Sequence, residues 1–388
     1  MQVDASTTRP SAPRSKVVLF EPCAGGHRPV YLRRFTEALA PVADVLLAIS
    51  DETADAIEGT VDAELVRLGK GLPGVPRRHV KRWWAALADE HRQFREIAQG
   101  ADHVVHLFAD HLLPVLAWGP RVPAPTSLLL FHPKAHYPRL YGSPLSASER
   151  TAARGNELLL ARWRRRPDAH AVWTLDEGAA EGWQRRGGAS AHWLTEPPIT
   201  ALLDGADLHP RDGCVMYGAH HYRKGLDRLA RALTLEPTNL RITIAGYVNL
   251  AFQVDFERSV ETMERAGLRV DLRTHNHSEL EGLRTLAEAR CAALPYREHV
   301  GMSRVLVEAA VAGTPVVVHR SGLLGHLVER HGIGLAVDAD DPRALRRAVL
   351  GLCEEQAETD RYAAALATFA ARHSEAAFTA ALRGPLGL

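Results

Sequence analysis

The chain has 388 residues, of which 46% are hydrophobic, and it carries 47 basic against 46 acidic side chains. This length suits two domains that each bury a core, and a formal net charge of +1 gives no argument for a nucleic-acid, membrane or acidic-polymer partner. The four cysteines lack the spacing of a disulfide framework or a zinc site.

The N-terminal segment, residues 1–15, is polar and has no apolar core of the kind that a signal peptide needs. We expect it to be disordered. No run in the chain approaches the ~18 apolar residues of a membrane span. The sequence therefore predicts a cytoplasmic protein without membrane contact.

Residues 16–197 alternate between apolar strands and amphipathic helices. Residues 16–20 form the first predicted strand, and a loop with Gly25 and Gly26 connects it to a helix over 29–39. Further strands are predicted over 42–49, 103–108, 126–131 and 169–175, and further helices over 77–99 and 181–186. This order is typical of a doubly wound α/β domain with a parallel sheet.

A linker rich in Pro, Asp and Gly over 195–213 precedes a second series of alternating elements. Strands are predicted over 214–217, 240–245, 291–295, 316–319 and 335–337, and helices over 225–235, 278–289, 304–312 and 342–352. We expect an N-terminal domain over 16–197, a second domain over 198–360, and a C-terminal helix within 361–388 that packs back toward the first domain. Ligands of such sheets bind beyond the carboxyl ends of the strands, where the two domains face each other.

Lysine is rare in this chain, because it occurs only at 16, 70, 81, 134 and 224 while the other basic side chains are arginine. After Lys134 there is only Lys224, which opens the sequence Lys-Gly-Leu-Asp. The rarity of lysine and the sequence Lys-Gly-Leu-Asp together indicate that Lys224 binds phosphate.

The most specific segment is PYREHVGMSRVLVEAAVAGTPVVV over 295–318. Ser303 is a suitable helix N-cap, and Gly313 is a suitable residue to end that helix. Free backbone N–H groups at 301–304, at the positive end of the helix dipole, suit an anionic diphosphate. Glu308 lies among apolar neighbours and needs a partner, which the vicinal hydroxyls of a ribose would provide.

This segment resembles the C-terminal signature of retaining GT-B glycosyltransferases of family 4. The stretch 217–227 is similar to the strand, linker and lysine-bearing helix start with which that family binds the donor diphosphate. LRITIAG over 240–246 resembles its next strand and glycine turn. The resemblance covers nearly the whole chain and is strongest over 214–349.

The resemblance implies the GT-B fold, two Rossmann-like doubly wound α/β domains that face an interdomain cleft, and it implies roles for individual residues. The expected donor-binding residues are Gly25, Gly26, Arg223, Lys224, Gly301, Met302, Ser303, Arg304 and Glu308. The expected catalytic residues are His132, Lys224 and Glu298. Candidate acceptor-binding residues are His27, His111 and His136.

Two positions depart from the family pattern. The first glutamate of the family's pair would fall at Val300, and Glu298 is the nearest candidate to replace it. The family's arginine after the glycine of the first C-terminal strand is Ala219 here, and Arg223 is the candidate substitute. Contacts to the sugar hydroxyls and to the diphosphate depend on these substitutions.

The function implied is transfer of a sugar from a nucleotide-diphosphate donor to an acceptor hydroxyl, with retention of anomeric configuration and without a metal or other cofactor. Asp338 and Asp340 mimic a metal-binding DxD motif, but they precede Asp341-Pro342, which is typical of a helix start. We expect a small soluble acceptor, a natural-product core such as an aminocyclitol of antibiotic biosynthesis. Alternatives are a nucleotide-sugar epimerase, a sugar phosphorylase, or a non-catalytic subunit that binds nucleotide sugar. The nucleotide base, the sugar and the oligomeric state stay open.

Overall fold

A computed structural model of the protein describes residues 14–26, 28–69, 80–142, 145–199, 201, 203, 209–354 and 360–388. The disorder predicted for most of residues 1–15 concerns residues outside these ranges. The candidate acceptor residue His27 and the first three residues of the helix predicted over 77–99 also lie outside these ranges.

The N-terminal part forms a seven-stranded parallel sheet in the order β3-β2-β1-β4-β5-β6-β7. Its strands are β1 Ser15–Glu21, β2 Ala43–Ile49, β3 Glu64–Arg67, β4 His103–His106, β5 Thr126–Leu130, β6 Ala169–Thr174 and β7 Ser190–Trp193. Its helices are α1 Arg28–Leu39, α2 Asp51–Ile57, α3 Val80–Ile97, α4 Leu113–Trp118, α5 Tyr137–Leu140, α6 Ala147–Trp163 and α7 Glu177–Gln184. The central strands are buried on both faces because helices cover the sheet on each side, which explains their continuous apolar runs.

The C-terminal part forms a six-stranded parallel sheet in the order β10-β9-β8-β11-β12-β13. Its strands are β8 Cys214–Tyr217, β9 Arg241–Ala245, β10 Arg269–Arg273, β11 Cys291–Leu294, β12 Val316–His319 and β13 Gly334–Val337. The helices are α8 Leu226–Leu233, α9 Gln253–Arg265, α10 Glu279–Ala287, α11 Arg304–Val311, α12 Leu323–His331 and α13 Pro342–Glu354. Two parallel sheets with helices on both faces confirm the predicted GT-B architecture.

The chain end differs from the single helix that we predicted. It forms two helices, α14 Ala363–Arg372 and α15 Glu375–Leu386. Leu366 and Phe369 of α14 belong to the core of the C-terminal sheet, whereas Phe378 and Leu382 of α15 are buried in the core of the N-terminal sheet. The break at 373–374 is a helix start, because the Ser374 side chain accepts from Ala377 N–H. The end of the chain therefore crosses from one lobe to the other.

The long helix α6 was not predicted from the sequence. It begins at a capping box in which Ser146 and Glu149 exchange side-chain and backbone hydrogen bonds. Three of the four cysteines also converge, although they are far apart in the sequence. Cys214 and Cys291 are neighbours on paired strands, and the Sγ atoms of Cys291 and Cys353 are 3.5 Å apart as free thiols.

Candidate active site

A cleft of about 820 Å³ lies between the two lobes at the carboxyl ends of their strands. Among the residues predicted to bind the donor, it is lined by Gly26, Arg223, Lys224, Met302, Ser303, Arg304 and Glu308. Residues from both sheets thus meet at one cavity, as expected for an open α/β architecture.

Lys224 and Arg223 supply positive charge at one end of this cleft. Lys224 ends a short 3-10 helix after β8, and its Nζ donates to the Tyr296 hydroxyl at 2.6 Å. In the part of the chain that the structure describes, no carboxylate lies within ion-pair distance of either cation. An anionic group bound here would neutralise both.

The lysine is placed by Gly225. This residue has φ +78°, and a Cβ at this position would lie 2.3 Å from the carbonyl oxygen of Pro295. Gly218 leaves room for the ammonium group, because a Cβ at this position would lie 3.3 Å from Lys224 Nζ. The Lys-Gly pair in the sequence is thus a geometric requirement for the position of the ammonium group.

We expect Gly225→Ala to lower the free energy of unfolding by at least about 2 kcal/mol, because it forces both a left-handed backbone and a clash with a carbonyl oxygen. Chemical denaturation measures the change. Gly351→Ala, in the helix α13 where a Cβ meets open space, is the matched control and should leave stability unchanged or raised. Equal stability of the two variants would contradict the strain described for Gly225.

His299 was not predicted, although it lies within the segment that we singled out. It lines the cleft, and burial together with the neighbouring cations Lys224 and Arg223 lowers its pKa to about 3. The ring is therefore neutral at pH 7 beside two cations. Its Nε2 is buried and has no hydrogen-bond partner among the described residues. A turn of the ring toward the cleft would let this neutral imidazole bind a hydroxyl group.

Glu298 does not line the donor cleft, contrary to the role that the resemblance implied. Its backbone has φ +46°, and this turn places its neighbour His299, rather than Glu298, at the cleft. Glu298 instead lines a separate cavity of about 210 Å³ beside His319 and Asp340. Nothing in this geometry supports a catalytic role for its carboxylate.

His319, Asp338 and Asp340 near Glu298 bring ligand atoms within 4.8 Å of one another. Arg228 pairs with Asp340, and Arg320 lies 3.7 Å from Asp338. These carboxylates are thus neutralised by arginines, which argues for structural ion pairs over metal binding.

The paired positions 298 and 299 allow a direct test. We expect His299→Ala to lower the rate of sugar transfer about tenfold or more, because one hydrogen bond to a sugar hydroxyl is removed. Glu298→Ala should leave the rate within about twofold of the original, since surface changes away from such contacts are usually small. Steady-state kinetics of the two variants measures both effects. A larger loss of rate in Glu298→Ala than in His299→Ala would assign the catalytic role to Glu298.

Glu308 lies in α11, 8% exposed, and its carboxylate accepts from Arg304 Nε at 3.1 Å. Burial raises its pKa above the ordinary value, although Arg304 opposes that shift. Arg304 also donates to the Pro197 carbonyl and to Glu279. The predicted ribose-binding carboxylate is thus held by an arginine that connects it to the linker.

The linker contributes a second buried carboxylate that sequence reasoning missed. Glu196 lines the cleft, is 4% exposed, and accepts from the Tyr31 hydroxyl of α1 at 3.0 Å. Burial raises its pKa to about 7, against the opposing charge of Arg304. No pattern marked it, because Glu196 lies in a stretch rich in proline that reads as a solvated connection.

Both glycines of the loop after β1 have a left-handed backbone, with φ +80° at Gly25 and +65° at Gly26. Only Gly26 lines the cleft. Arg28 holds the loop by donating to the carbonyls of Ala24 and Gly25 and to Glu21. Burial raises the pKa of Glu21 to about 7.

His132 lies outside the donor cleft but directly beside it, because the preceding residue Phe131 lines that cleft. Its side chain is 56% exposed, and its backbone N–H donates to Asp110 at 2.9 Å. It lines a neighbouring pocket of about 390 Å³ in the N-terminal lobe, together with Lys134, Glu149 and other polar side chains. His132 thus stands at the boundary between the two cavities.

The other histidines proposed to bind an acceptor are occupied by contacts within the protein. His111 borders the pocket beside His132, but its Nε2 donates to Glu90 and its Nδ1 to the Phe108 carbonyl. Glu90 raises the pKa of His111, which fits a charged ring with both nitrogens used. His136 is buried against Glu157 at 3.1 Å and lines neither cavity.

The start of α11 differs in part from the expected anion site. The Gly301 N–H is not free, because it donates to the Tyr137 hydroxyl at 2.6 Å. Ser303 occupies the N-cap position without a side-chain capping bond, and it lines the cleft. Gly301 therefore links the two lobes, while Ser303 keeps the predicted position in the donor cleft.

Residues 211–367 match the family model of glycosyl transferases group 1. This match identifies the C-terminal part of the chain as a glycosyl transferases group 1 domain. It is consistent with the resemblance to family 4.

Solved structures agree over nearly the whole length. Anabaena Alr3699/HepE, solved with UDP and glucose, superposes with a TM-score of 0.67 at 16% identity, covering 96% of this chain and 100% of that one. A sucrose-phosphate synthase from Thermosynechococcus elongatus gives 0.64 at 17% identity, covering 96% and 98%. A UDP-forming trehalose-phosphate synthase from Burkholderia vietnamiensis gives 0.65 at 14%, covering 95% and 100%. A comparison with curated proteins finds no match.

Further cleft residues were not predicted, namely Tyr217, Tyr247, Asn276, His277 and Tyr296. Tyr217 ends β8, and Tyr247 and Tyr296 follow β9 and β11, so the ends of these predicted strands were the available signal. Asn276 and His277 follow β10, which was not predicted. Among the described residues, no helix has the length and apolar character to cross a bilayer.

Proposed function

We propose that this glycosyltransferase transfers a sugar from a UDP-sugar to the hydroxyl of a small soluble acceptor, with retention of anomeric configuration. One observation carries the donor assignment. Lys224 and Arg223 face the cleft without a carboxylate partner in the described part of the chain, and Glu308 lies in the same cavity. A nucleoside diphosphate supplies the complement, two phosphates and a ribose diol. The UDP complexes of the similar Anabaena protein support uridine as the base.

The chemistry requires placement and charge. The bond between the anomeric carbon and the diphosphate oxygen breaks, and the acceptor oxygen bonds to that carbon. The acceptor proton passes to an oxygen of the departing diphosphate. Lys224 and Arg223 stabilise the negative charge that develops on the diphosphate, and neutral His299 orients the sugar. Attack from the face that the diphosphate leaves gives retention.

The pocket beside His132 is our proposed acceptor site. Its volume of about 390 Å³ suits a molecule of the size of a monosaccharide or cyclitol. Asp110, Glu149 and Glu157 line it with one lysine, Lys134, which lies 3.7 Å from Glu149. Glu157 is also paired with Arg186 at 2.6 Å, so among the described residues Asp110 is the carboxylate of this wall without an arginine or lysine partner. It favours an acceptor that carries hydroxyl and amino groups, such as an aminocyclitol.

The test begins with a thermal-shift series of the purified protein with UDP, GDP, dTDP and ADP, because a ligand that binds the native state raises the melting temperature. We expect the largest shift with UDP. Incubation with UDP-glucose and a panel of aminocyclitols and sugars, followed by NMR of the product, then identifies the acceptor and the anomeric configuration. A shift with GDP alone would overturn the base, and an inverted product would overturn retention. Donor binding without transfer to any acceptor would favour the non-catalytic alternative.

A further inference from the structure

A second cavity, which we name the rear cavity, lies behind the donor cleft. Its volume is about 180 Å³, and Met302 and Leu175 line both it and the donor cleft. Its walls come from three parts of the chain, the N-terminal lobe, helix α12 of the C-terminal lobe, and the terminal helix α14. The mechanism proposed above uses none of the groups that are found only in this cavity.

The rear cavity is lined by an unusual number of rings. Six aromatic or imidazole side chains border it, namely Tyr141, Trp193, His326, His331, Phe369 and His373. Neighbouring rings touch, with centroids 5.1 Å apart for Tyr141 and His326 and for His331 and Phe369. Such walls favour a flat aromatic ligand, because rings pack by offset or edge-to-face contacts.

The charges around the rear cavity compensate one another. Glu177 accepts from Arg330 at 3.2 Å and from Arg372 at 3.0 Å. The guanidinium of Arg372 also lies over the Trp193 ring, 4.9 Å from its centroid. With Glu181 as the remaining charged side chain, the lining carries two positive and two negative groups. A charged ligand would have to compete with these pairs, so a neutral ligand is favoured.

One polar atom in the wall has no partner. Nε2 of His331 is buried and makes no hydrogen bond with any described residue. Burial and the nearby Arg372 lower the pKa of His331, so its ring is neutral at pH 7. A buried polar nitrogen without a partner is costly. A turn of the His331 ring toward the cavity would expose Nε2, and a ligand that carries one hydrogen-bonding group would then satisfy it.

We propose that the rear cavity is a binding site for a neutral aromatic molecule of one or two rings that carries a single hydrogen-bonding group. The size agrees, since an engineered apolar cavity of roughly 150 Å³ takes up benzene. The proposal does not rest on the donor assignment, because the two cavities share only the partition formed by Met302 and Leu175.

The probes are 4-fluorophenol and 4-fluorotoluene, followed by ¹⁹F NMR titration of the full chain. We expect both to bind, with the phenol about tenfold tighter through its hydrogen bond to His331. His331→Leu should remove this preference while leaving the affinity for 4-fluorotoluene unchanged. Leu327→Phe, which adds a ring to the wall, should weaken both probes about tenfold or more, and exposed Leu235→Phe is the matched control.

Saturating UDP separates the two cavities. We expect it to leave the affinity for both probes unchanged within error. Displacement of the probes by UDP would place them in the donor cleft and overturn the proposal. So would the absence of binding at millimolar probe, or a His331→Leu variant that still prefers the phenol. A failure of UDP to bind at all would affect the proposed function and leave this result standing.

Discussion

Replacing Lys224 by alanine is expected to lower the rate of sugar transfer about 100-fold or more. The departing diphosphate loses a cation, and no described residue in contact with Nζ carries a positive charge that could replace it. Among the described residues, Nζ contacts the hydroxyl and the ring of Tyr296 and no carboxylate. Its charge is therefore available to the ligand. Removing a cation that has no carboxylate partner leaves no buried anion behind, so the fold should persist.

Binding measurements separate this role from a general loss of structure. The Kd of UDP should rise about tenfold or more in Lys224→Ala, whereas the weak affinity for uridine, which has no phosphate, should stay unchanged. Lys81→Ala, at an exposed position of α3, is the matched lysine control and should bind UDP as the original protein does. An equal loss for UDP and uridine would show that Lys224 does not act on the diphosphate.

Glu308→Gln is expected to weaken UDP binding about 10- to 100-fold, because two hydrogen bonds from the ribose diol to a carboxylate are lost or weakened. The glutamine has nearly the same shape, so packing among the buried neighbours is preserved. Arg304 keeps its bonds to Glu279 and to the Pro197 carbonyl. The ligand-free fold should therefore change little in stability.

A double-mutant comparison locates this effect at the ribose. UDP should bind the original protein more tightly than its 2′,3′-dideoxy analogue, and this difference should vanish in Glu308→Gln. Glu329→Gln, an exposed glutamate of α12, is the control. If the variant still discriminates the two nucleotides as before, Glu308 does not bind the diol.

For some residues of the cleft, the local sequence pattern is sufficient to predict their position. Lys224 and Glu308 could be placed at one cavity from the sequence, because Lys224 lies just before a helix and Glu308 within a helix whose apolar pattern fixes its position. The Lys-Gly pair even encodes the left-handed turn that aims the ammonium group. For these residues the sequence contains the local geometry.

Other features depend on packing between distant segments. At Glu298 the backbone has φ +46°, and His299 rather than Glu298 lines the cleft. A non-glycine residue in this left-handed conformation is uncommon and is not predictable from residue type alone. Glu196 acquires its environment from Tyr31, 165 positions away in the chain. His111 and His136 looked available but are paired with Glu90 and Glu157. Glu157 lies on α6, a helix that was not predicted, and the contact of Glu90 depends on how α3 packs against its neighbours.

The double passage of the chain between the lobes has a consequence for movement. The linker and the α14–α15 junction lie side by side, joined where Glu196 N–H donates to Nδ1 of His373 at 3.2 Å. Two covalent connections at one place act as a common pivot, which leaves rotation about the pivot as the easy motion and makes sliding of one lobe past the other costly. Glu196 lies at this pivot and also lines the cleft. A substrate that contacts the Glu196 carboxylate would therefore bind with an affinity that depends on the angle between the lobes, and its binding would stabilise one such angle.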